Sequence, residues 1–298
     1  MHGTDTSTLD RRPGDTPGAG PNAGSSWEEA VRWLRAQPDQ QQLVRDSYYD
    51  DPLDASARRY RDGVEFAALR AWLPPHGEAL ELGAGRGIAS YALASAGLRV
   101  VALEPDPSAL VGAGAIAWLA SATGAAIEPV VGVSENLPFA DGRFDVVLAR
   151  AVLHHTRDLD SSCREVARVL RPGGRFLAIR EHVLSHPDDL SRFQSAHPLH
   201  RLYGGEYAYV LARYLAAIEN AGLEVEHVLD PFASALNHAP RSLDDLRREI
   251  ASRVLPGNAG AAIGSAFLRA GWPVARRLLA SVDRRPGRLY SFIGRKPA

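Results

Sequence analysis

Glu81-Leu82-Gly83-Ala84-Gly85-Arg86-Gly87 is the stretch on which the reading of this chain turns. It follows a short apolar run, Ala79–Leu82, and precedes a helical pattern at Ile88–Ala96, so its glycines fall at a strand-to-helix turn. Glycine there lets the backbone approach a ligand closely and aim amide N–H groups at it. The spacing is Gly-x-Gly-x-Gly, whereas the dinucleotide fingerprint wants its third glycine where Ile88 stands. An acid two positions before Gly83 would repel a pyrophosphate and attract an ammonium or sulfonium. The next apolar run outward, Leu98–Leu103, ends in Glu104-Pro105-Asp106. Glu104 lies 21 positions after Gly83, where an open α/β sheet places a carboxylate for ribose hydroxyls.

Strand and helix patterns keep alternating from there. A helical pattern at Pro107–Ser121 precedes strands at Ile127–Val131 and Phe144–Leu148. A helix with Leu159, Cys163, Val166 and Leu170 on one face stops at Pro172-Gly173-Gly174, before a strand at Phe176–Ile179. Beyond it come a helix at Tyr207–Ala221, capped by Gly222, and strands at Leu223–Leu229 and Arg288–Gly294. The pattern predicts an α/β fold, a doubly wound and mostly parallel seven-stranded sheet with right-handed crossovers. Segments 182–206 and 231–286 are then insertions at its edges. Residues 1–24, rich in Gly, Pro, Thr and Asp, predict a disordered tail. Residues 25–75 predict an N-terminal helical cap, opened by the capping-box pair Ser26 and Glu29, interrupted near Asp51-Pro52 and closed by Pro74-Pro75. Residues 76–298 carry the sheet.

Composition removes several function classes. The 298 residues hold 34 basic against 35 acidic side chains, a net charge of −1, so the broad positive field of a nucleic-acid binder is missing. A single cysteine, Cys163, allows no internal disulfide and suits a reducing cytoplasm. Lys296 is the only lysine, which leaves none in the body of the chain for a Schiff base or a phosphate-binding loop. The apolar stretch Gly260–Ala275 is interrupted by Arg269, Gly271 and Pro273 and is too short for a membrane span, so it reads as a packed or interfacial helix.

With the glycine turn and Glu104 in place, the chain resembles the class I S-adenosylmethionine-dependent methyltransferases, in particular the ubiquinone/menaquinone-biosynthesis type. Gly132-Val133-Ser134-Glu135-Asn136-Leu137-Pro138-Phe139 resembles that family's loop over the adenine. Phe144-Asp145-Val146-Val147-Leu148 with Ala151-Val152-Leu153-His154-His155 resembles its fourth strand and the loop after it, and Leu170-Arg171-Pro172-Gly173-Gly174 the turn before its fifth. The similarity covers about residues 78–181. It implies a Rossmann-like domain with S-adenosyl-L-methionine as cofactor. Glu81 would face the methionine amino group, Gly83, Ala84 and Gly85 would allow close approach, and Glu104 beside Pro105 would hold the ribose. Ser134, Glu135, Asn136 and Arg150 complete the implied cofactor contacts. One departure stands out: the family's Asp after the loop glycine is here Val133, which leaves the Ser134-Glu135 segment or apolar contacts to hold the adenine.

The acceptor pocket of such a fold lies outside the carboxyl ends of the strands. Candidates to line it are Tyr48 and Tyr49 from the cap, His154, and His200, Tyr203 and Glu206. Glu181, His182 and His155 are candidates for a general base, although loop packing against the sheet would also explain the His154-His155 pair. A metal set from His182, His186, His197 and His200, which fall within 19 residues, is set aside, because Pro187 and Pro198 break the helical continuity that would align them. The sequence thus predicts a cytoplasmic enzyme that methylates a small-molecule acceptor, with no metal, nucleic acid or membrane span, and is compatible with a homodimer. A cofactor-binding protein of the same fold that does not methylate stays open. A nicotinamide oxidoreductase is disfavoured by the glycine spacing.

Overall fold

A computed structural model describes residues 24–203, 205–254 and 257–298. The tail expected over 1–24 therefore lies outside the described residues except for Gly24, whose N–H donates to the Leu202 carbonyl at 2.9 Å. The cap comprises α1 (Trp27–Arg35), α2 (Gln41–Asp46), α3 (Leu53–Arg61) and α4 (Val64–Leu69). Both bonds of the capping box at the start of α1 are formed, the Glu29 N–H to Ser26 Oγ at 3.2 Å and the Ser26 N–H to Glu29 Oε2 at 2.9 Å.

The strands are β1 (Gly77–Leu82), β2 (Leu98–Glu104), β3 (Ile127–Val131), β4 (Phe144–Arg150), β5 (Leu170–Leu184), β6 (Tyr209–Val210), β7 (Glu224–Leu229) and β8 (Arg288–Arg295). They form one eight-stranded sheet ordered β3-β2-β1-β4-β5-β8-β7, with β6 paired on β5. The sheet has eight strands and not the seven expected, because Tyr209 and Val210 leave the expected helix to pair with Val183 and Leu184. The first five strands run parallel, and β8 is antiparallel to both of its neighbours.

Successive side chains of a strand point to opposite faces, and the core divides accordingly. Ala79, Val100, Ala102, Val146, Leu148, Leu177 and Ile179 pack on one side, against α3, α4, α5 (Ile88–Ser95) and α6 (Ala113–Thr123). Leu80, Leu82, Val101, Leu103, Val147, Phe176 and Ala178 pack on the other, against α7 (Leu159–Val169) and α10 (Leu211–Asn220). Helices on both faces are what a nearly all-parallel sheet requires.

Two boundaries differ from expectation for local reasons. The helix expected at Pro107–Ser121 begins only at Ala113, because the Asp106 carbonyl accepts the Ala113 N–H at 2.7 Å and residues 107–112 fold back so that Val111 packs into the cap. The strand expected at Phe176–Ile179 runs on to Leu184 through a bulge at Arg180, which has φ +60°. The first insertion continues with α8 (Leu190–Ala196) and α9 (Pro198–Tyr203). The second consists of α11 (Ala235–His238), α12 (Leu243–Val254) and α13 (Asn258–Val282), and encloses its own small core of Phe232, Leu246 and Trp272. The packed helix expected over 260–275 is the middle of α13, and Phe267 on it is 74% exposed. Among the described residues no helix is long and apolar enough to cross a membrane.

Candidate functional site

Strand order reverses at β1, which pairs with β2 on one side and β4 on the other, and ligands bind open α/β sheets at such a switch point. A cavity of about 1490 Å³ opens there. A typical pocket for one small ligand is roughly 300–1,000 Å³, so this volume has room for two.

The glycine turn forms its floor. Gly83, Gly85 and Gly87 have φ of +55°, +54° and +78°, conformations that side-chain-bearing residues rarely adopt. A Cβ on Gly83 would lie 2.8 Å from a Val152 methyl, whereas on Gly85 it would meet nothing closer than the Val111 carbonyl oxygen at 3.9 Å. Gly85 thus leaves a bare cradle beside the cavity. The Gly85 N–H donates to Glu104 Oε2 at 2.8 Å, and the Asp106 N–H donates to Oε1 at 3.0 Å. Two features 19 positions apart in the sequence are therefore one hydrogen-bonded unit. Burial raises the Glu104 carboxyl against those two amides. Glu81, 3% exposed and held by Ser90 Oγ, is pushed by burial up to about 7.

The other expected cofactor residues divide. Ala84, Pro105, Ser134, Glu135 and Arg150 line the cavity with Gly83, Gly85 and both acids. Ser134 Oγ lies 2.9 Å from Ser162 Oγ, and Glu135 Oε1 accepts the Arg157 N–H at 3.0 Å. Asn136, by contrast, is exposed and outside the lining. Arg150 is not free for a cofactor: its guanidinium pairs with buried Glu65 at 2.5 Å and 3.0 Å, and Arg180 reaches the same carboxylate at 3.3 Å. Nothing in the sequence marked Glu65, which sits in an apolar helix far from the motifs.

The roof comes from the cap and the first insertion. Trp27 meets Tyr49, Tyr203 and His155 edge to face, with ring centroids 6.4, 5.2 and 5.8 Å apart. Tyr48 also lines the cavity. Trp27 was legible in sequence only as part of a helix face. Arg86 ties roof to floor, donating to the Tyr48 and Asp50 carbonyls at 3.1 and 2.9 Å and to Asp51 Oδ1 at 2.6 Å. Among the described residues, the non-glycine positions with positive φ, Tyr48, Ala151 and Arg180, all line this cavity. Strain of about 1–3 kcal/mol each concentrates at functional sites. None of the described residues of 231–286, expected as a second acceptor-side insertion, lines it.

On the acceptor side the structure gathers five histidines and two glutamates. His154, His155, His182, His197 and His200 line the cavity with Tyr203, while Glu181 and Glu206 lie behind them, 0% and 1% exposed. Glu181, expected as an acid–base group, does not reach the cavity. Its carboxylate accepts the Val152, Leu153 and His154 N–H groups at 3.0, 3.1 and 3.3 Å, and it pairs with His154 Nδ1 at 2.9 Å. It holds the loop after β4. Burial raises Glu181 to about 7 and Glu206 to about 8, Glu181 adding to the latter, and lowers His154 to about 3 and His200 to about 2. His182 contacts the Gly287 carbonyl through Nδ1 at 2.8 Å, which makes Nδ1 the donor and leaves Nε2 as a free acceptor. Burial also holds His182 well below its usual range, so at neutral pH the ring is uncharged. His186, expected near the other histidines, is exposed and pairs with Asp188 at 3.0 Å.

Residues 80–178 match the family described as Methyltransferase domain. A demethylmenaquinone methyltransferase of Mycolicibacterium vanbaalenii is 30% identical over 149 residues, which are 50% of this chain and 55% of that protein. The 27-O-demethylrifamycin SV methyltransferase of Amycolatopsis mediterranei is 41% identical over 96 residues, 32% of this chain and 35% of that one. The chain spans about half the length of the first curated relatives it matches. The fold is similar to that of a geranyl diphosphate C-methyltransferase from Streptomyces coelicolor, with TM-score 0.55 and 13% identity over 93% of this chain and 90% of that one. Residues 80–178 thus match a methyltransferase domain, and over this part the chain is similar to the demethylmenaquinone methyltransferases.

Proposed function

We propose that this chain methylates a small-molecule acceptor with S-adenosylmethionine as donor. The observation that carries the reading is the Gly85–Glu104 unit, opening onto the same large cavity as the uncharged ring of His182. The residues present fit the cofactor: the bare cradle at Gly85 admits it closely, Glu81 offers a carboxylate to its amino group, and Glu104 offers two oxygens to its ribose. Ser134 and Glu135 stand where Val133 has replaced the usual adenine acceptor.

When bound, the sulfonium would supply an electrophilic methyl; attack on its carbon by an acceptor X–H, in line with the C–S bond, would give X–CH3, a neutral thioether that keeps the C–S electron pair, and a proton. His182 Nε2 takes that proton. Trp27, Tyr49 and Tyr203 keep water out, and the cap and the first insertion hold the acceptor in line. Alignment of this kind is worth effective molarities on the order of 10⁵ M or more, so a covalent nucleophile is not needed. The absence of a broad positive field favours a small acceptor over nucleic acid, and the lone, buried Cys163 suits the cytoplasm.

The test is calorimetry with S-adenosylmethionine against NAD, followed by release of S-adenosylhomocysteine in the presence of hydroxyl, amine and carbon acceptors. Binding of the sulfonium with turnover on one acceptor class is the expected result. Binding of NAD alone overturns the reading, and binding without turnover across the panel moves the protein to the non-methylating alternative.

A further inference from the structure

We propose that His154, His155 and Glu206 bind a divalent first-row transition ion such as Zn2+ in the wall between the cavity and the first insertion. His154 and His155 are adjacent on the turn Leu153–His155, and Glu206 arrives on the segment leading into β6, which is tied to the turn by a 2.7 Å bond from the Tyr207 N–H to the His154 carbonyl. The three side chains each present one donor atom, all within 4.8 Å of one another.

Glu206 is 1% exposed, yet neither of its carboxylate oxygens accepts a hydrogen bond. Leaving such a group unsatisfied is costly, and more so for a charged one. Three imidazoles face it instead: His154 Nε2 at 3.5 Å and His155 Nδ1 at 3.4 Å from Oε2, and His200 Nε2 at 3.6 Å from Oε1. These separations exceed the roughly 2.7–3.2 Å of an N–H···O bond. The two to Oε2, 3.5 and 3.4 Å, come close instead to the edge between two ligand atoms around a tetrahedral ion with bonds of about 2.0–2.1 Å, which is roughly 3.3–3.4 Å.

A carboxylate stands behind His154. A metal-bound histidine usually donates its other ring N–H to a carboxylate, which fixes the ring and the tautomer. His154 Nδ1 lies 2.9 Å from Glu181, and Glu181 is itself pinned by three backbone amides, so Nε2 faces Glu206 as an unprotonated donor. Two histidines and one carboxylate leave coordination positions open, the pattern of catalytic and not structural sites. Because both histidines line the cavity, the open position faces the acceptor. It would take an acceptor oxygen, a hydroxyl or enol, whose proton is then lost more easily, to His182, whose ring lies 4.5 Å from that of His154. This role rests on the methyl-transfer reading; the binding itself does not.

The experiment uses the full chain, dialysed against chelator and titrated with Co2+ alone as a spectroscopic probe, then with Zn2+ in competition. One equivalent of Co2+ with the intense visible band of a tetrahedral or five-coordinate site is expected, displaced by Zn2+. Glu181→Gln should weaken binding by about 10–100-fold, and Glu206→Gln and His155→Ala by more. Circular dichroism and S-adenosylmethionine calorimetry on each variant separate a lost site from a lost fold. Lack of the band, or equal affinity in wild type, Glu206→Gln and His155→Ala, overturns the proposal. If Co2+ fails to bind while S-adenosylmethionine binds, the metal falls alone; the converse removes the methyl-transfer reading and keeps the site.

Discussion

Two buried acidic clusters flank the cavity, and they resolve the same physical problem differently. On the cap side, burial pushes Glu65 up, but the Arg150 and Arg180 guanidinium groups outweigh it and hold the carboxyl below its usual range. On the acceptor side, Glu181 and Glu206 are equally buried, meet only imidazoles and amides, and rise to about 7 and 8. Burial alone does not set the state of a carboxylate. A permanent cation beside it does, and one cluster has it built in while the other offers a place for it.

The largest effect should come from breaking the first cluster. Glu65→Ala leaves two arginines facing a vacated buried position and should cost about 3–5 kcal/mol of stability, read from the urea midpoint; a loss under about 1 kcal/mol would mean that the arginines are solvated and the contrast is false. Next comes the cofactor rim, where Glu104→Ala should weaken S-adenosylmethionine binding by about 1–3 kcal/mol through loss of charge-assisted hydrogen bonds. Unchanged calorimetric affinity would place the ribose elsewhere. Glu181→Gln sharpens the comparison from the acceptor side. The amide can still accept from the backbone, so stability should fall by only about 1–2 kcal/mol while turnover falls much further than cofactor affinity, since His154 loses its orientation. Equal loss in both would make the residue purely structural.

The smallest effect is a pH dependence. Glu81 is raised by burial, against Ser90 and Arg150 and with the help of Glu104, to about 7. Its folded value lies above the unfolded one, so its contribution to stability is present in acid and is lost as pH rises through about 7. Cofactor affinity runs the other way, because only the ionised carboxylate attracts an ammonium group. Binding should tighten several-fold from pH 6 to pH 8, and Glu81→Gln should flatten that dependence. A profile as steep in the variant as in the wild type would assign the titration to another group.

The legible parts of the molecule were those written in adjacent residues. The glycine turn, Glu104 and the alternating apolar runs of β1 to β4 each depend on short-range spacing, and the structure keeps them in that order. The bulge at Arg180 was not legible, because a single residue at φ +60° reverses which face the following side chains occupy; it turns Glu181 inward and lets Arg180 and His182 line the cavity. Nor was the pairing within the histidine cluster, although His154, His155, His182, His200 and Glu206 were each expected on the acceptor side. Sequence proximity grouped His186 with His182, yet His186 is exposed, and His154 and His155, which face Glu206, come from β4's loop about 50 residues before it. A pairing assembled by the sheet leaves no periodic trace in the chain.

Arg86 carries a kinetic corollary. It belongs to the glycine turn at the cavity floor, but its hydrogen bonds hold the 48–51 backbone overhead. On the proposed methyl-transfer reading, donor exchange and acceptor entry share one latch: loosening the turn to release spent donor also slackens the lid over the second substrate. A protein wired this way should load its two substrates in a fixed sequence, and inhibition by the spent donor should compete with the fresh one and not with the acceptor.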